Sequence, residues 1–195
     1  MKKIVLRILF GIIGALLAGF AGLLIVLTAT EYTPEEEEVL DIEGESSQTI
    51  APGDSLTLMT YNIGYGGLGE EEDFVLDGGD KGRPDSKADV LDYLGGSIAL
   101  LENYPSDVYF LQEVDEPSRR SYETDQVEMI LEALGEEQYM SSYAYNFKSV
   151  FVPFPVSLTD YLGRVQSGMQ TVSTFEIDEA EGSNEHSDNN QGNNE

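Results

Sequence analysis

A long apolar run near the N-terminus constrains this chain most, because it removes the first part of the sequence from any water-soluble fold. Residues Ile8–Leu27 carry no charged side chain, and a helix needs about 20 such residues to cross a bilayer. Lys2, Lys3 and Arg7 precede the run, and no acidic residue occurs before Glu31. By the positive-inside rule, this asymmetry predicts a cytoplasmic N-terminus and an extracytoplasmic remainder.

A cleaved signal peptide is the alternative interpretation of the same run. Signal peptides usually have a shorter apolar core, of about 7–15 residues, followed by a small-residue cleavage site, and no convincing site of this kind follows the run. The sequence therefore favours an uncleaved signal-anchor over residues 1–30 and a single-pass protein of the cell membrane.

The part of the chain after the run is strongly acidic. The whole chain has 37 Asp and Glu against 10 Lys and Arg, a formal net charge of −27, and three of the basic residues precede the run. Binding to nucleic acid needs Lys and Arg that displace counterions from phosphates, so this composition argues against a nucleic-acid partner. The chain has no cysteine, so an exported domain must fold without disulfides.

Two polar segments flank the part of the chain that has the composition of a core. Residues 31–54 are rich in acids and also contain prolines and glycines, which predicts a linker that holds the domain off the membrane. An ordered edge segment around Val39–Ile42 is the alternative there. Residues 178–195 lack large hydrophobic side chains and are predicted to be a disordered tail. The tail contains the sole histidine, His186, which is not expected to be catalytic.

Residues 55–177 have the alternating strand and helix pattern of an α/β domain. The predicted strands are 55–63, 107–111, 139–147 and 168–175. One helix is expected to begin at Asp85 or Ser86, and a second to end at Gly135. A long connection with a helix between the first two strands is typical of a crossover between parallel neighbours.

This crossover predicts a site at one edge of the sheet. Asn62 and Glu113 each stand at the end of a predicted strand. If the two strands are parallel and adjacent, both side chains emerge side by side at the carboxyl edge, where open α/β sheets bind ligands. Further along, residues 150–165 form an apolar segment whose two prolines exclude a central strand. We expect a flap folded back against the core there, with contact to membrane lipid or to a substrate as the alternatives.

The motifs TYNIGYGG, DVYFLQEVD, YAYNFKSVFVPFP and SGMQTVSTFEI, in this order, resemble the endonuclease/exonuclease/phosphatase superfamily, especially its membrane-anchored bacterial members. The resemblance covers roughly residues 55–177. It implies a four-layer α/β sandwich, of which this chain holds the first half behind a transmembrane helix. It also implies hydrolysis of phosphodiesters or phosphomonoesters with a divalent metal ion, usually Mg²⁺.

The resemblance assigns roles to particular residues. It implies that Glu113 binds the metal ion and that Asn62 lies beside the metal and the scissile phosphate, so that both are catalytic and metal-binding. Mg²⁺ prefers oxygen ligands, takes one or two carboxylates and keeps several waters, so this pair is an adequate set of protein contacts. Gln112 is expected to hold the Glu113 carboxylate in place.

Basic and polar residues near these motifs are candidate phosphate contacts. Arg119 and Lys148 are the favoured substrate-binding residues, because they are rare positive charges in an acidic domain and adjoin the motifs. The other candidates are Arg120, Tyr122 and Asn146.

The family also uses a histidine–aspartate pair and an Asp-x-Asn element, and residues 55–177 contain neither. The prediction is therefore a membrane-anchored, extracytoplasmic, metal-dependent phosphoesterase-like protein that is catalytically incomplete as this chain, and its status as an enzyme stays open. The alternatives are a non-catalytic pseudoenzyme that binds a metal or ligand, and the product of a truncated gene. A separate C-terminal half is a further expected partner.

Overall fold

The computed structural model describes residues 2–183. Lys2–Ala29 form one continuous helix, α1, with a mean hydropathy of 2.6 over its most apolar window. None of its described residues is buried inside the protein. The helix is long and apolar enough to span a membrane, and a signal sequence has the same properties.

The rest of the described chain is mixed α/β. Its strands are β1 (Glu37–Val39), β2 (Ile42–Gly44), β3 (Leu58–Asn62), β4 (Val108–Asp115), β5 (Met140–Val152), β6 (Gly163–Ser173) and β7 (Glu181–Ser183). Its two helices are α2 (Lys87–Asn103) and α3 (Gln126–Leu134). Five strands form the main sheet in the order β2-β5-β6-β4-β3, in which β3 and β4 are parallel and the other neighbours antiparallel. The parallel crossover predicted from the sequence is therefore confirmed.

The start of α2 and the end of α3 lie at residues that the sequence predicted, Ser86 and Gly135. Ser86 is the N-cap of α2, where its Oγ accepts a hydrogen bond from the Asp89 backbone N–H at 3.2 Å. Asp125 caps α3 in the same way through the Glu128 N–H. Gly135 ends α3 with a φ of 100°, a conformation that glycine adopts without the penalty of a Cβ.

Both helices pack on one face of the main sheet. On the interior strand β4, Tyr109 and Leu111 are fully buried against this layer, with Leu94 of α2 and Ile130 of α3 in the same core. Alternate residues of a strand point to opposite faces, so one β4 residue in two enters the core. Each fully buried aliphatic side chain contributes about 1.5–3 kcal/mol.

The opposite face of the main sheet has no helix layer. We call it the open face. The strand register places these residues of β3, β4 and β6 on it: Leu58, Thr60, Val108, Phe110, Met169 and Thr171. Leu58 is 57% exposed, Phe110 44% and Met169 50%. Within residues 2–183 the domain thus has two layers, one sheet and one helix layer.

The two polar segments are more ordered than predicted. The predicted linker contains β1 and β2, and β2 pairs with β5 at the edge of the main sheet. The prediction of a disordered tail from residue 178 is wrong for Glu181–Ser183, which pairs antiparallel with β1 as a separate two-stranded acidic ribbon. Strand pairing uses backbone N–H and C=O groups, so it does not need apolar side chains. The remainder of the predicted tail, residues 184–195 with His186, lies outside the described residues.

A cleft of about 1090 Å³ lies over the open face. Val108, Phe110 and Met169 line it from the sheet, while Tyr32 and Leu40 line it from the segment that follows α1. The segment that follows α1 therefore lies over part of the open face.

The apolar loop, residues 153–162, connects β5 to β6. The expectation of a flap folded back against the core is wrong, because Val156 and Leu158 at its tip are exposed. Pro153 and Pro155 follow the last residue of β5, but the exclusion of a central strand from residues 150–165 is wrong at both ends of that segment, because β5 extends to residue 152 and β6 begins at residue 163.

Candidate functional site

Asn62 and Glu113 meet at the carboxyl edge of the main sheet. Asn62 is the last residue of β3 and stands opposite Gln112 in the parallel register. The Asn62 Nδ2 group donates a hydrogen bond to Glu113 Oε1 at 2.9 Å. The juxtaposition predicted from two separate strand ends is thus present as a direct contact.

Glu113 reaches Asn62 because β4 is irregular at this point. Gln112 pairs with Met169 and Val114 with the next β6 residue, Gly168, so Glu113 is the extra residue of a bulge. Its φ of 54° lies in the left-handed region, which is unfavourable for a residue with a Cβ. Bulges commonly re-aim a side chain next to a functional site.

Left-handed backbone is concentrated around this edge. Among residues 2–183 the non-glycine residues with positive φ are Tyr65, Glu113, Tyr122 and Glu123. The first follows β3, the second interrupts β4 and the last two lie in the loop that follows β4. Such strain costs about 1–3 kcal/mol per residue and persists only where the surroundings enforce it, which is typical of functional sites.

The turn after β3 fixes the orientation of the Asn62 amide. Asn62 Oδ1 accepts a hydrogen bond from the Gly64 backbone N–H at 2.8 Å, so the amide nitrogen faces Glu113. Gly66 has a φ of 60°, and a Cβ there would lie 2.9 Å from the Val90 carbonyl oxygen. The glycines after Asn62 are therefore required by backbone conformation and by the close approach of α2.

Gln112 does not have the predicted role. Its Nε2 donates to Thr60 Oγ1 and to the Phe110 carbonyl oxygen, both at 2.9 Å, instead of to Glu113. The bulge explains the difference, because it changes the direction of Glu113 relative to its neighbour. Asn62 is the residue that holds the Glu113 carboxylate.

A buried ion pair between Asp115 and Arg120 stabilises the same edge of the sheet. Both carboxylate oxygens of Asp115 accept from Arg120, at 2.7 Å and 3.0 Å, and the Ser121 hydroxyl donates to Asp115 at 2.9 Å. The Asp115 side chain is 0% exposed and that of Arg120 is 13% exposed. Burial by itself lowers the pKa of Arg120, but the adjacent Asp115 carboxylate more than offsets it, and the pKa is raised.

Arg120 and Gln126 connect the segments that follow β3 and β4. The Arg120 guanidinium lies over the Tyr65 ring, 3.7 Å from its centroid. Gln126 donates to the Tyr65 carbonyl oxygen at 2.7 Å and accepts from the Asp115 N–H at 2.9 Å. These contacts tie the loop after Asn62 to the strand end that carries Glu113. The sequence did not indicate a role for Gln126, which lies outside the quoted motifs, or for Asp115, although Asp115 is the last residue of the motif DVYFLQEVD.

Arg119 supports the apolar loop. Its guanidinium donates to the carbonyl oxygens of Thr159, at 3.0 Å, and Tyr161, and it lies 3.7 Å from the centroid of the Tyr161 ring. Tyr122, another candidate, donates its hydroxyl to the Pro84 carbonyl oxygen at 2.8 Å. Both side chains thus hold loops at this edge, and substrate binding by Arg119 stays a prediction.

Lys148 lies at the cleft over the open face. Its ammonium is 3.9 Å from the centroid of the Tyr145 ring and 5.9 Å from that of Tyr32. Within the described part of the chain, neither Lys148 nor Arg119 forms a hydrogen bond or ion pair with Asn62 or Glu113. Asn146 also lines this cleft. The favoured basic residues therefore do not contact the Asn62–Glu113 pair.

Few groups at this edge suit a metal ion. No set of three or more His, Asp or Glu side chains converges within residues 2–183. Glu113 Oε1 is bound to Asn62, and Oε2 is the oxygen left for a cation. Because Mg²⁺ accepts one carboxylate and several waters, this donor chemistry fits a weak Mg²⁺ site.

No protein-family model matches the chain, and no curated protein matches it.

Proposed function

We propose that this chain is a membrane-anchored, extracytoplasmic, metal-dependent phosphoesterase-like protein. The observation that carries the proposal is the Asn62–Glu113 hydrogen bond of 2.9 Å at the carboxyl edge of adjacent parallel strands. The left-handed backbone of Glu113 supports it, since this conformation aims the carboxylate at an energetic cost. The positive charges of Lys2, Lys3 and Arg7 in the first turns of α1 support the proposed topology.

In this proposal Glu113 holds the divalent cation through Oε2, and Asn62 keeps the carboxylate in position. When bound, a divalent cation such as Mg²⁺ neutralises charge on phosphoryl oxygens and polarises the phosphorus centre. Arg119 and Lys148 are the proposed contacts for the phosphoester. Nucleic acid is a poor substrate, because the formal net charge of −27 repels a polyanion.

We further propose that the main sheet and its helix layer are one half of a four-layer sandwich. The open face supports this, because Leu58, Phe110 and Met169 are apolar and about half exposed. A face of this kind is usually covered by a second layer. The partner that fits it is a second sheet supplied by a completing C-terminal half.

A second candidate function is a non-catalytic module that binds a metal ion or a phosphorylated ligand. The observation that favours it is the position of the sole histidine, His186, outside residues 55–177. Histidine is the side chain most often used as a general base near neutral pH. A domain without a histidine in residues 55–177 would retain binding without a histidine of its own to activate water.

Turnover and thermal stability together distinguish these functions. The full chain in detergent micelles is assayed with bis-p-nitrophenyl phosphate and p-nitrophenyl phosphate, with and without Mg²⁺. The enzyme proposal expects turnover that requires Mg²⁺ and is lost in Glu113→Gln. The control is Glu132→Gln on the exposed side of α3, which should behave as the unmodified chain.

The binding proposal expects stabilisation by Mg²⁺ without turnover. Free Mg²⁺ at about 100 times its Kd raises the free energy of unfolding by about 2.7 kcal/mol, and Glu113→Gln removes this gain. If neither turnover nor a shift in Tm is observed, both proposals for the Glu113 edge are wrong.

A further inference from the structure

The tip of the apolar loop exposes two large aliphatic side chains. Val156 is 98% exposed and Leu158 97%, and Phe154 beside them is 41% exposed. Single exposed apolar residues are common, but a cluster at a loop tip marks a contact surface. The tip takes no part in the contact between Asn62 and Glu113.

The loop is held in its projecting position by its base. Arg119 donates to the carbonyl oxygens of Thr159 and Tyr161, and Leu162 N–H donates to the Phe154 carbonyl oxygen at 2.9 Å. Asp160 accepts from the Gly82 N–H at 2.9 Å. The exposure of the tip therefore follows from contacts on both sides of it.

The tip carries no charge in a strongly acidic chain. Residues 149–159 contain no Asp, Glu, Lys or Arg, although the chain has 37 acidic residues. The nearest charged residues in sequence are Lys148 and Asp160. Moving this segment from water into a lipid surface therefore buries no charged side chain, and anionic lipid headgroups do not repel it.

The base of the loop lies beside the end of α1. Leu27, two residues before the end of α1, lines the same cleft as Phe151 and Pro153. Tyr32, three residues after α1, lies under the Lys148 ammonium of β5. The helix that is proposed to cross the membrane and the uncharged loop are thus at the same end of the domain.

We propose that the apolar loop inserts Val156 and Leu158 into the surface of the membrane that α1 crosses. The partner is the phospholipid bilayer, and the depth is that of the boundary between headgroups and acyl chains, about 5–10 Å. The inference rests on the proposed membrane anchoring by α1 and is independent of phosphoesterase activity. A second contact of this kind holds the domain, and the Asn62–Glu113 edge with it, at a fixed height above the bilayer.

The absence of tryptophan from the chain provides a direct test. Leu158→Trp places a single tryptophan at the exposed tip, where the larger side chain meets no neighbour to displace. The full chain is reconstituted into liposomes with and without brominated acyl chains, which quench tryptophan by contact. Docking shifts the emission to shorter wavelength and causes loss of most of the intensity in brominated liposomes.

A matched control uses Tyr104→Trp, which replaces a residue that is 65% exposed and precedes β4. β5 runs parallel to β4, because both are antiparallel to β6, so Tyr104 and the loop lie at opposite edges of the sheet. This variant should keep its emission in both kinds of liposome. Val156→Asp introduced into the Leu158→Trp chain should abolish the shift and the quenching.

The other outcomes overturn the inference in distinguishable ways. Liposome flotation after an alkaline wash measures anchoring by α1 separately. A chain that floats but whose Leu158→Trp emission is neither shifted nor quenched shows that the loop does not dock. A shift without quenching shows that the tip packs against protein, and a chain that does not float contradicts both the anchor and the docking.

Discussion

The buried Asp115–Arg120 pair makes a prediction about stability that the structure allows to be worked out. Arg120→Met keeps most of the apolar stem but removes both guanidinium hydrogen bonds, of 2.7 Å and 3.0 Å, from a carboxylate that is 0% exposed. Asp115 then retains only the Ser121 hydroxyl, at 2.9 Å. Removing one partner of a buried pair costs about 3–5 kcal/mol, because the other charge stays in a low-dielectric site.

The matched control is the exposed pair between Arg164 and Glu123, whose side chains are 46% and 52% exposed. Arg164→Met should cost at most about 1 kcal/mol, since water screens such a pair. The two substitutions are chemically identical, so their difference of roughly 3 kcal/mol reports the buried environment of Arg120, which includes its contacts with Tyr65 and Ser167.

The assay is urea unfolding of the full chain in micelles, followed by the fluorescence of its 11 tyrosines. If Arg120→Met costs no more than Arg164→Met, the Asp115 site is accessible to water and the described support of the Glu113 edge is wrong. In a further variant, Asp115→Leu combined with Arg120→Met should recover part of the loss, because no charge is left unpaired.

Two further predictions use the same chain. Glu113→Gly should raise the free energy of unfolding by up to about 1 kcal/mol. A left-handed φ of 54° costs a non-glycine residue about 1–2 kcal/mol, and part of this gain is offset because glycine loses more chain entropy on folding. A loss of stability in urea would contradict the strain. Burial raises the pKa of Tyr139 to about 12 and also raises that of Tyr143. Tyrosines of the unfolded chain lose protons near pH 10, so the stability present below that pH should be lost as the pH rises to about 12. Tyrosinate absorbance that rises in one step at pH 10 without unfolding would refute this.

The parallel pairing of β3 and β4 was predictable, because the sequence shows a long connection with a helix between the two strands. Such a connection joins parallel neighbours through a right-handed crossover. The placement of Asn62 and Glu113 at the same edge followed from that pairing, whereas their direct contact depends on the bulge at Glu113. The role of Gln112 was not predictable, since a regular strand gives no sign of a bulge and the bulge decides which side chain faces Asn62.

Other features depended on partners far apart in sequence. The strands β1 and β7 are acidic and contain almost no apolar residues, so hydrophobic pattern gave no indication of them, whereas their pairing depends only on backbone groups. Arg120 was a candidate phosphate contact, but its burial depends on Asp115 and Tyr65, which only the fold brings together. Composition alone could not distinguish a basic residue that faces solvent from one that completes a core.

The acidic ribbon of β1 and β7 also has a consequence for the order of folding. It pairs Glu37 with Ser183, so it closes a loop that contains nearly all of the α/β domain that follows α1. Contacts of such long sequence separation have a high entropic cost and form late. During synthesis, Glu37 leaves the ribosome early, but β1 cannot pair with β7 until Ser183 has also left it. Until then the closed ribbon is absent from the cleft that Phe110 and Met169 line. Aggregation competes with folding most strongly in that interval.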